Sequence, residues 1–154
     1  MKTERLILRE VEPSDGPFIQ ELYNTPDFIR YIGDRQIGDL QQAEQYIRDR
    51  LIHSYETYGY GLYVMQSITT GLPIGICGLV KRSADTAPDI GFSVLPSYYR
   101  QGYTLEAARA VLEYARHQLK LDEVLGLVHP DNEASIALLK KIGIPDHRIH
   151  ISPN

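Results

Sequence analysis

The sequence lacks the features that mark membrane, secreted and disulfide-rich proteins. Tryptophan is absent and cysteine occurs once, at Cys77, so no disulfide can form within the chain. No apolar run approaches the roughly 20 residues that cross a membrane. The N-terminal segment, MKTERLILRE, alternates charged with apolar residues and lacks the apolar core of a signal peptide. We therefore expect a cytoplasmic protein without a membrane partner, in which Cys77 is a small buried residue of a strand.

Clustered positive charge and metal-ligand spacing are also missing. Sixteen Lys and Arg residues oppose twenty Asp and Glu residues, which gives a net charge of −4. This balance disfavours nucleic acid as a partner, because phosphate binding draws on concentrated positive charge. A cationic or neutral substrate suits the surface better. The five histidines, among them His147 and His150, have no spacing typical of a metal site. We predict no nucleic-acid partner and no metal.

The length and composition indicate one folded domain that spans residues 1–154. A chain of 154 residues can form one core but is short for two, and 43% hydrophobic residues is ordinary for a globular protein. The first third reads as one strand at residues 5–9 followed by two helices. The first helix ends near residue 24, and the second, over residues 39–55, begins with a capping box formed by Asp39 and Gln42.

The middle of the chain predicts a sheet, and the last third alternates helices with strands. Three runs rich in β-branched residues follow residue 61, separated by Gly and Pro, and predict an antiparallel meander. Apolar residues then recur on one face of a helix over residues 104–119. A strand is expected in EVLGLVH, and a final helix should end at Gly143. The second half is therefore a parallel crossover appended to the meander, and the fold class is α+β.

The segment DIGFSVLPSYYRQGYT, residues 89–104, predicts an anion site. A strand, a turn and a short loop lead directly into a helix, whose first N–H groups have no partner within the helix. Gly102 lets the backbone approach a phosphate without a Cβ in the way, and Arg100 adds positive charge. Neither GxGxxG nor GxxxxGK[ST] occurs in the chain, so the segment fits neither the Rossmann nor the P-loop motif.

Three segments together resemble the RimJ/RimL-like branch of the GCN5-related N-acetyltransferase (GNAT) superfamily. They are TERLILREVEPSD, DIGFSVLPSYYRQGYTLEAARAVLEYA and HPDNEASIALLKKIG, in the order and spacing of that branch, and they extend from Thr3 to Gly143. The resemblance implies a mixed, mostly antiparallel sheet flanked by about four helices and splayed between its fourth and fifth strands. Acetyl-CoA would lie in the splay as the acetyl donor.

The resemblance also implies which residues bind the donor. Main-chain groups of the fourth strand would pair with the pantetheine arm, and the loop before the next helix would hold the diphosphate. The superfamily pattern for this loop is met only at Gly102, since Tyr99 stands at its first position and Thr104 at its last. The expected donor-binding residues are Phe92, Ser93, Val94, Leu95, Arg100, Gln101, Gly102, Tyr103, Thr104 and Asn132.

The catalytic residues are inferred from the same resemblance. Many acetyltransferases protonate the leaving thiolate with a tyrosine on the last helix, but Leu139 stands at that position here. RimL-like members place a serine one turn earlier, which matches Ser135, with Asn132 beside it as helix cap or active-site residue. Asp89 stands where histone acetyltransferases of the superfamily keep a glutamate, so it is the candidate general base. The alternative, which its position at a strand end favours, is a solvated carboxylate without a catalytic role. Glu106 is expected to complement the helix dipole.

The acceptor is expected to be a primary amine, either on a small molecule or at a protein N-terminus. It would attack the donor directly in a ternary complex, in a pocket that Tyr31 and Tyr60 help to shape, although core packing is an alternative role for these tyrosines. A second hypothesis is that the chain binds acetyl-CoA as a sensor or interaction module without turnover. Both hypotheses are open at this point.

The C-terminal segment departs from the family pattern, because the family normally has one more strand after Gly143 than this chain offers. Only PDHRIHISPN follows residue 144, with one alternating stretch at residues 148–151. Without this strand, the sheet edge beside the fifth strand would be unpaired, and folded proteins usually cover such edges. We expect the edge to be paired either by residues 148–151 or by a second subunit in a homodimer.

Overall fold

The computed structural model describes residues 1–144 and the backbone of a two-residue strand at 148–149. The N-terminal half contains β1 (Leu6–Glu10), α1 (Gly16–Tyr23), α2 (Pro26–Tyr31), α3 (Leu40–Tyr46) and α4 (His53–Tyr58). The second half contains β2 (Leu62–Ser67), β3 (Pro73–Val80), β4 (Asp89–Val94), α5 (Tyr103–His117), β5 (Leu127–Val128), α6 (Glu133–Lys141) and β6 (Arg148–Ile149). The mixed α+β class is as predicted.

The long predicted helix of the first third is present but is not regular. A π-helical segment, Ile47–Ile52, joins α3 to α4, so helical backbone continues to Tyr58 and stops at Gly59, which has φ +80°. At its start the Asp39 carboxylate accepts a hydrogen bond from the Gln42 amide at 2.7 Å, as predicted. The Gln42 side chain accepts from the Gly38 amide instead of closing the capping box on Asp39.

Helix α2 was not predicted from the sequence, although its start signals are present. Pro26 occupies the first helical turn and Asp27 places a carboxylate near the positive end of the helix dipole. The segment is short and follows Asn24 and Thr25, which read as the end of α1. This helix carries Tyr31 toward the C-terminal half of the molecule, so its position matters for the site described below.

The first four strands form one antiparallel sheet in the order β1-β2-β3-β4, which confirms the predicted meander. Leu6 lies opposite Ser67, and Val80 lies opposite Asp89. The register between β2 and β3 shifts at Met65 and Gln66. The turn after β2 contains Gly71 with φ +76°, a left-handed conformation that glycine adopts readily.

Side chains alternate across this sheet and fill two separate cores. Tyr63 and Met65 of β2 face α5 and α6, whereas Val64 faces the helices of the N-terminal half. Helix α5 presents small residues such as Ala107 and Ala108 to the sheet, which lets its backbone approach closely. Cys77 of β3 is fully buried, as predicted, and burial raises the pKa of its thiol. The sheet is thus covered on both faces.

The C-terminal strands β5 and β6 form a separate two-stranded sheet. Strand β5 is shorter than predicted and pairs in parallel with β6, with Leu127 opposite Arg148. The pairing at 148–149 agrees with one of the two arrangements expected for the vacant edge; residues 150–151 lie outside the described residues, as do His147 and His150. Gly143, with φ +89°, follows the end of α6 as predicted. None of the helices in the described ranges is long and apolar enough to cross a membrane.

Candidate active site

A cleft opens where β4 and β5 separate. The start of β4 forms a parallel bridge, between Asp89 and Leu125, with the segment just before β5. At this bridge the Ile90 amide donates to the Leu125 carbonyl at 2.9 Å. Beyond this bridge, Leu127–Val128 pairs with β6 and belongs to a different sheet from β4. The strands therefore diverge toward the C-terminal end of β4. This divergence is the splay that the sequence predicted between the fourth and fifth strands.

Most of the predicted donor-binding residues line this cleft, which has a volume of about 520 Å³. They come from the end of β4, the loop before α5 and the start of α6. The lining includes Phe92, Ser93, Val94, Arg100, Gln101, Gly102, Tyr103, Thr104, Asn132 and Ser135. Leu95 is not part of it: its amide donates to the Ile74 carbonyl at 2.9 Å, and its side chain packs against the helical core.

The loop before α5 has the geometry of an anion site. Arg100 and Gly102 both adopt left-handed backbone conformations, with φ +62° and +82°, and α5 begins at Tyr103 without a side-chain cap. The N–H groups of the first helical turn have no partner within the helix, and Tyr103 and Thr104 lie on the cleft. A Cβ added to Gly102 would stand 3.3 Å from Nη2 of Arg5. Uncapped amides and a residue without a Cβ therefore meet at the cleft.

The N-terminal segment holds this loop in place through Arg5. Its Nε donates to Glu106 at 2.7 Å, its Nη1 donates to the Gln101 carbonyl at 3.0 Å, and its guanidinium lies 4.1 Å from the Tyr103 ring centre. Glu106 also accepts from the Arg5 amide at 2.8 Å and from the Thr3 hydroxyl. Glu106 was expected to complement the helix dipole, and the structure shows that it also binds the first strand to α5.

Glu106 is ionised more readily than an ordinary glutamate. Burial raises the pKa of this carboxyl, but the hydrogen bonds from Thr3 and Arg5 outweigh that effect and hold the pKa below its usual value. Sequence reasoning did not identify Arg5 as a support of the loop, because about one hundred residues separate it from its partners. No local pattern reports a contact of that kind.

Helix α6 presents Asn132 and Ser135 to the cleft. The Asn132 side chain caps the helix by accepting from the Ser135 amide at 3.2 Å. The Ser135 hydroxyl makes no hydrogen bond with another residue that the structure describes, so it can serve a ligand. Leu139, which occupies the position of the family's tyrosine, is fully buried in the core. Leu139 has no hydroxyl and does not line the cleft, so Ser135 is the residue of this pair that can act as an acid there.

A smaller pocket of about 160 Å³ lies deeper between the strands. It shares Tyr31, Phe92, Ser93 and Ser135 with the cleft, so the two cavities adjoin. Tyr31 was predicted to shape the acceptor site, and it lines both cavities with its ring set edge-on to His129 at 5.7 Å. Ser135 therefore lies where the cleft and this inner pocket adjoin.

Asp89 lines the inner pocket but is not the solvated carboxylate that its position at a strand end favoured. Only 2% of its surface is exposed, and its two oxygens accept from Arg82 at 2.9 and 3.2 Å. The interpretation was wrong because the bridge to Leu125 covers the start of β4. Arg82 lies in the loop before β4, where no sequence signal marks it as a partner of Asp89.

Tyr60 lies in the core and lines neither of the two cavities. It is 6% exposed and stacks on Tyr58 with ring centres 6.0 Å apart, and burial raises its pKa. The neighbouring Tyr55 accepts a hydrogen bond from the Val11 amide at 2.9 Å and donates to the Leu62 carbonyl. This tyrosine cluster joins the helices to the sheet, which is the core-packing role considered for it above.

Tyr99 lies at the rim of the cleft, beside Asp27 of α2. Burial and the nearby Asp27 carboxylate raise the pKa of Tyr99 to about 12, so the phenol is neutral at ordinary pH. A neutral phenol does not repel an anionic ligand.

Among the described residues, no group of three or more His, Cys, Asp or Glu side chains is placed to hold a metal ion.

The proteins that this chain resembles in sequence or structure include acetyltransferases. Residues 5–144 match the family model for the acetyltransferase (GNAT) domain. The uncharacterized Bacillus subtilis protein YkkB is 30% identical over 145 residues, which cover 92% of this chain and 83% of that protein. The uncharacterized N-acetyltransferase YoaA of B. subtilis is 28% identical over 145 residues, covering 93% and 81%. A solved acetyltransferase from Agrobacterium tumefaciens has a TM-score of 0.79 at 26% identity, covering 93% of this chain and 81% of its own. The chain thus belongs to the GNAT family and is an N-acetyltransferase.

Proposed function

We propose that this protein transfers an acetyl group from acetyl-CoA to a primary amine, by direct attack in a ternary complex. One observation carries the proposal. The uncapped start of α5, the end of β4 and the hydroxyl of Ser135 line a single cleft that adjoins an inner pocket. A donor and an acceptor can therefore approach each other from two sides of the same serine.

The residues of the cleft suit the diphosphate and pantetheine arm of acetyl-CoA. Gly102 has no Cβ to obstruct an anion, and the first amides of α5 can donate to phosphate oxygens. Arg100 supplies positive charge at the same loop, while Phe92, Ser93 and Val94 offer main-chain groups to an extended arm. Tyr99 and Thr104 replace the residues most common in the superfamily pattern, and both still line the cleft.

Ser135 is the proposed proton donor for the leaving thiolate. Acetyl-CoA supplies a thioester, whose carbonyl carbon the amine attacks while the carbon–sulfur bond breaks. A thiol has an ordinary pKa of ~8.5, so a weak acid is enough to assist its departure. Asn132 fixes the first turn of α6 and so positions this serine.

Asp89 is the carboxylate that we propose to receive the proton of the amine, directly or through water. Among the described residues that line the inner pocket, Asp89 is the one with an acidic side chain. Its two hydrogen bonds from Arg82, at 2.9 and 3.2 Å, fix the orientation of the carboxylate. This requirement for a base depends on the acceptor, because an α-amine titrates near ~7.7–8.0 and a lysine near ~10.4.

The placement in the RimJ/RimL-like branch is part of the proposal. It rests on the three sequence segments and on Ser135, one turn before Leu139, which stands where many acetyltransferases have a tyrosine. A solved ribosomal-protein-S5-alanine acetyltransferase from Vibrio fischeri has a TM-score of 0.78 at 17% identity. At that identity the likeness concerns the fold and leaves the acceptor undetermined.

Donor binding and turnover can be tested separately. Acetyl-CoA at ~100 times its dissociation constant should stabilise the protein by ~2.7 kcal/mol, measured by thermal or urea unfolding. Thiol release with a panel of amines then measures transfer, and the buried Cys77 contributes no background in the native protein. We expect Ser135→Ala to lower kcat by at least about tenfold while leaving this stabilisation intact.

Ser14→Ala, at an exposed position, is the control and should retain full activity. Stabilisation by acetyl-CoA without thiol release from any amine would instead favour the hypothesis of a binding module without turnover. An unchanged kcat in Ser135→Ala would remove this serine from the mechanism. The absence of any stabilisation would refute acetyl-CoA binding itself.

A further inference from the structure

The inner pocket is lined by a cationic side chain, Arg35, that has an unused hydrogen-bond donor. Nη1 of Arg35 is buried and has no hydrogen-bond partner among the described residues. It is the one buried side-chain nitrogen or oxygen within the described ranges for which this is so. Buried polar groups are nearly always paired in folded proteins, so an unpaired one at a ligand pocket calls for an explanation.

The backbone around Arg35 is shaped to keep this side chain in place. Gly33 and Gln36 flank it with φ +129° and +58°, and the Gln36 amide donates to the Asp34 carboxylate at 2.7 Å. Asp34 is therefore occupied in a local turn. A non-glycine residue in the left-handed region is uncommon, so this turn is a specific conformation of the loop between α2 and α3.

No carboxylate compensates the charge of Arg35 among the residues described. The carboxylate of Asp89 in the same pocket pairs with Arg82, and no ion pair of the described chain includes Arg35. Tyr23 and Tyr46 line the same pocket as Arg35. Burial raises the pKa of Tyr23 well above its ordinary value, Tyr46 adds to this, and the positive charge of Arg35 acts in the opposite direction.

We infer that the acceptor is a small amine that also carries an oxyanion, foremost a carboxylate, and that Arg35 binds this oxyanion. The inference rests on the proposed function and specifies its acceptor. A guanidinium donates up to five hydrogen bonds and matches a carboxylate in shape and charge. A free amino acid presents both groups, with the amine toward Ser135 and the carboxylate toward Arg35.

The rest of the pocket agrees with an amino-acid acceptor that has an apolar side chain. Tyr23 stacks on Phe28 with ring centres 4.1 Å apart, and Tyr46 meets Tyr23 edge-on at 5.3 Å. All three rings line the pocket together with Arg35. Polyamines and aminoglycosides are disfavoured, because their additional positive charges would be repelled by the half-buried guanidinium of Arg35.

A matched pair of acceptors tests the inference on the unaltered protein. L-Phenylalanine and L-phenylalaninamide differ only in the carboxylate, and both are assayed by thiol release from about pH 7 to about pH 10, so that amine ionisation is accounted for. We expect kcat/KM for the acid to exceed that for the amide by about 10- to 100-fold, the effect of one charge-assisted hydrogen bond. Taurine and phosphoethanolamine extend the test to other oxyanions; a preference for either over its neutral analogue also supports the inference.

Substitution of the arginine provides the second arm. Arg35→Gln should raise KM for the acid by about 10- to 100-fold and leave KM for the amide unchanged, whereas Arg35→Lys should retain part of the preference. Arg48→Gln, an exposed arginine of the helical segment after α3, is the control and should behave as the parent protein. If Arg35→Gln fails to fold, the comparison of acid with amide still decides the matter.

The inference and the proposed function fail in different ways. Equal or better turnover of the amide, or a preference for spermidine over every anionic amine, would overturn the role of Arg35 and leave acetyl transfer in place. No thiol release from any amine would refute the proposed function. In that case stronger thermal stabilisation by the acid than by the amide, lost in Arg35→Gln, would still support an oxyanion site, and equal stabilisation would overturn it.

Discussion

At the scale of single residues, Gly102 matters because two separate constraints apply to it. Its φ of +82° lies in the left-handed region, and an added Cβ would stand 3.3 Å from Nη2 of Arg5, the side chain that holds the loop. Arg100, two residues earlier, adopts the same region without being glycine. Left-handed residues are typical of the turns whose backbone amides bind anions.

Gly102→Ala should therefore weaken donor binding more than it weakens the fold. An L-residue with this φ costs roughly 1–2 kcal/mol of stability, and the added methyl also disturbs the loop at the cleft. We expect the dissociation constant for CoA to rise about tenfold or more, measured by calorimetry.

Gly59→Ala is the matched control, because Gly59 has nearly the same φ, +80°, and nothing lies within 4 Å of its added Cβ. It should lose similar stability and bind CoA normally. Equal weakening of CoA binding in both variants would mean that the effect is general destabilisation and not the loop.

At the scale of the elements, α6 shows how one cap serves both stability and the site. The sequence Asn-Glu-Ala-Ser places Ser135 three residues after the capping residue Asn132. The amide of Ser135 is therefore the donor of the capping hydrogen bond, which the Asn132 side chain accepts. The helix is short, with nine residues, and Leu139 anchors it in the core. The position of the Ser135 hydroxyl, which we propose to be catalytic, thus depends on the first turn of this helix.

Asn132→Ala should lower both stability and activity. Loss of the cap costs about 1 kcal/mol of unfolding free energy, and the loosened first turn should reduce kcat through misplacement of Ser135. Urea unfolding and thiol release measure the two effects.

Asp39→Ala is a suitable comparison, since Asp39 caps α3 through the equivalent hydrogen bond to Gln42 and lines neither cavity. It should lose about the same stability and keep its kcat. If Asn132→Ala were as active as Asp39→Ala, Asn132 would be a helix cap and no more.

At the scale of the whole molecule, ion pairs at the two ends of the first strand hold the sheet to both helical layers. Arg5 joins the start of β1 to Glu106 of α5, and Arg9 joins its end to Asp15 ahead of α1. Both carboxyls are partly buried. For Asp15, burial raises the pKa, but the hydrogen bonds from Arg9 and from the Glu12 amide hold it below the ordinary value.

Stability should consequently fall in acid and remain level near neutral pH. A carboxyl whose pKa is lower in the folded state contributes stability above its ordinary pKa, and this contribution is lost as pH falls through the folded value. The ordinary values here are 3.8 and 4.5, so the loss should occur below about pH 4.5. Urea midpoints from pH 7 to pH 3 measure it.

Glu106→Gln removes one of the two titrating groups and should reduce the dependence on acid pH. Glu113→Gln, at a carboxylate of α5 whose side chain is 66% exposed, should leave it unchanged. An identical acid profile in Glu106→Gln and the parent protein would show that this ion pair does not contribute.

Local features of the molecule were determined by the sequence itself. Alternation and turn residues predicted β2, β3 and β4, apolar periodicity predicted α5, and Gly143 marked the end of α6. These features involve neighbours three or four residues apart, or the conformational preference of a single residue, so the pattern contains them. The short helix α2 had such signals too, in Pro26 and Asp27, and they were outweighed by the apparent end of α1.

Tertiary structure alone decided which distant side chains meet. The pairing of Arg5 with Glu106, the burial of Asp89 against Arg82 and the unpaired nitrogen of Arg35 join segments separated by loops and whole elements. Tyr60 illustrates the same limit, since a cluster of tyrosines looks alike in sequence whether it lines a pocket or fills a core. Charge compensation and exposure depend on the final packing of all elements, and that packing is not encoded in any one segment.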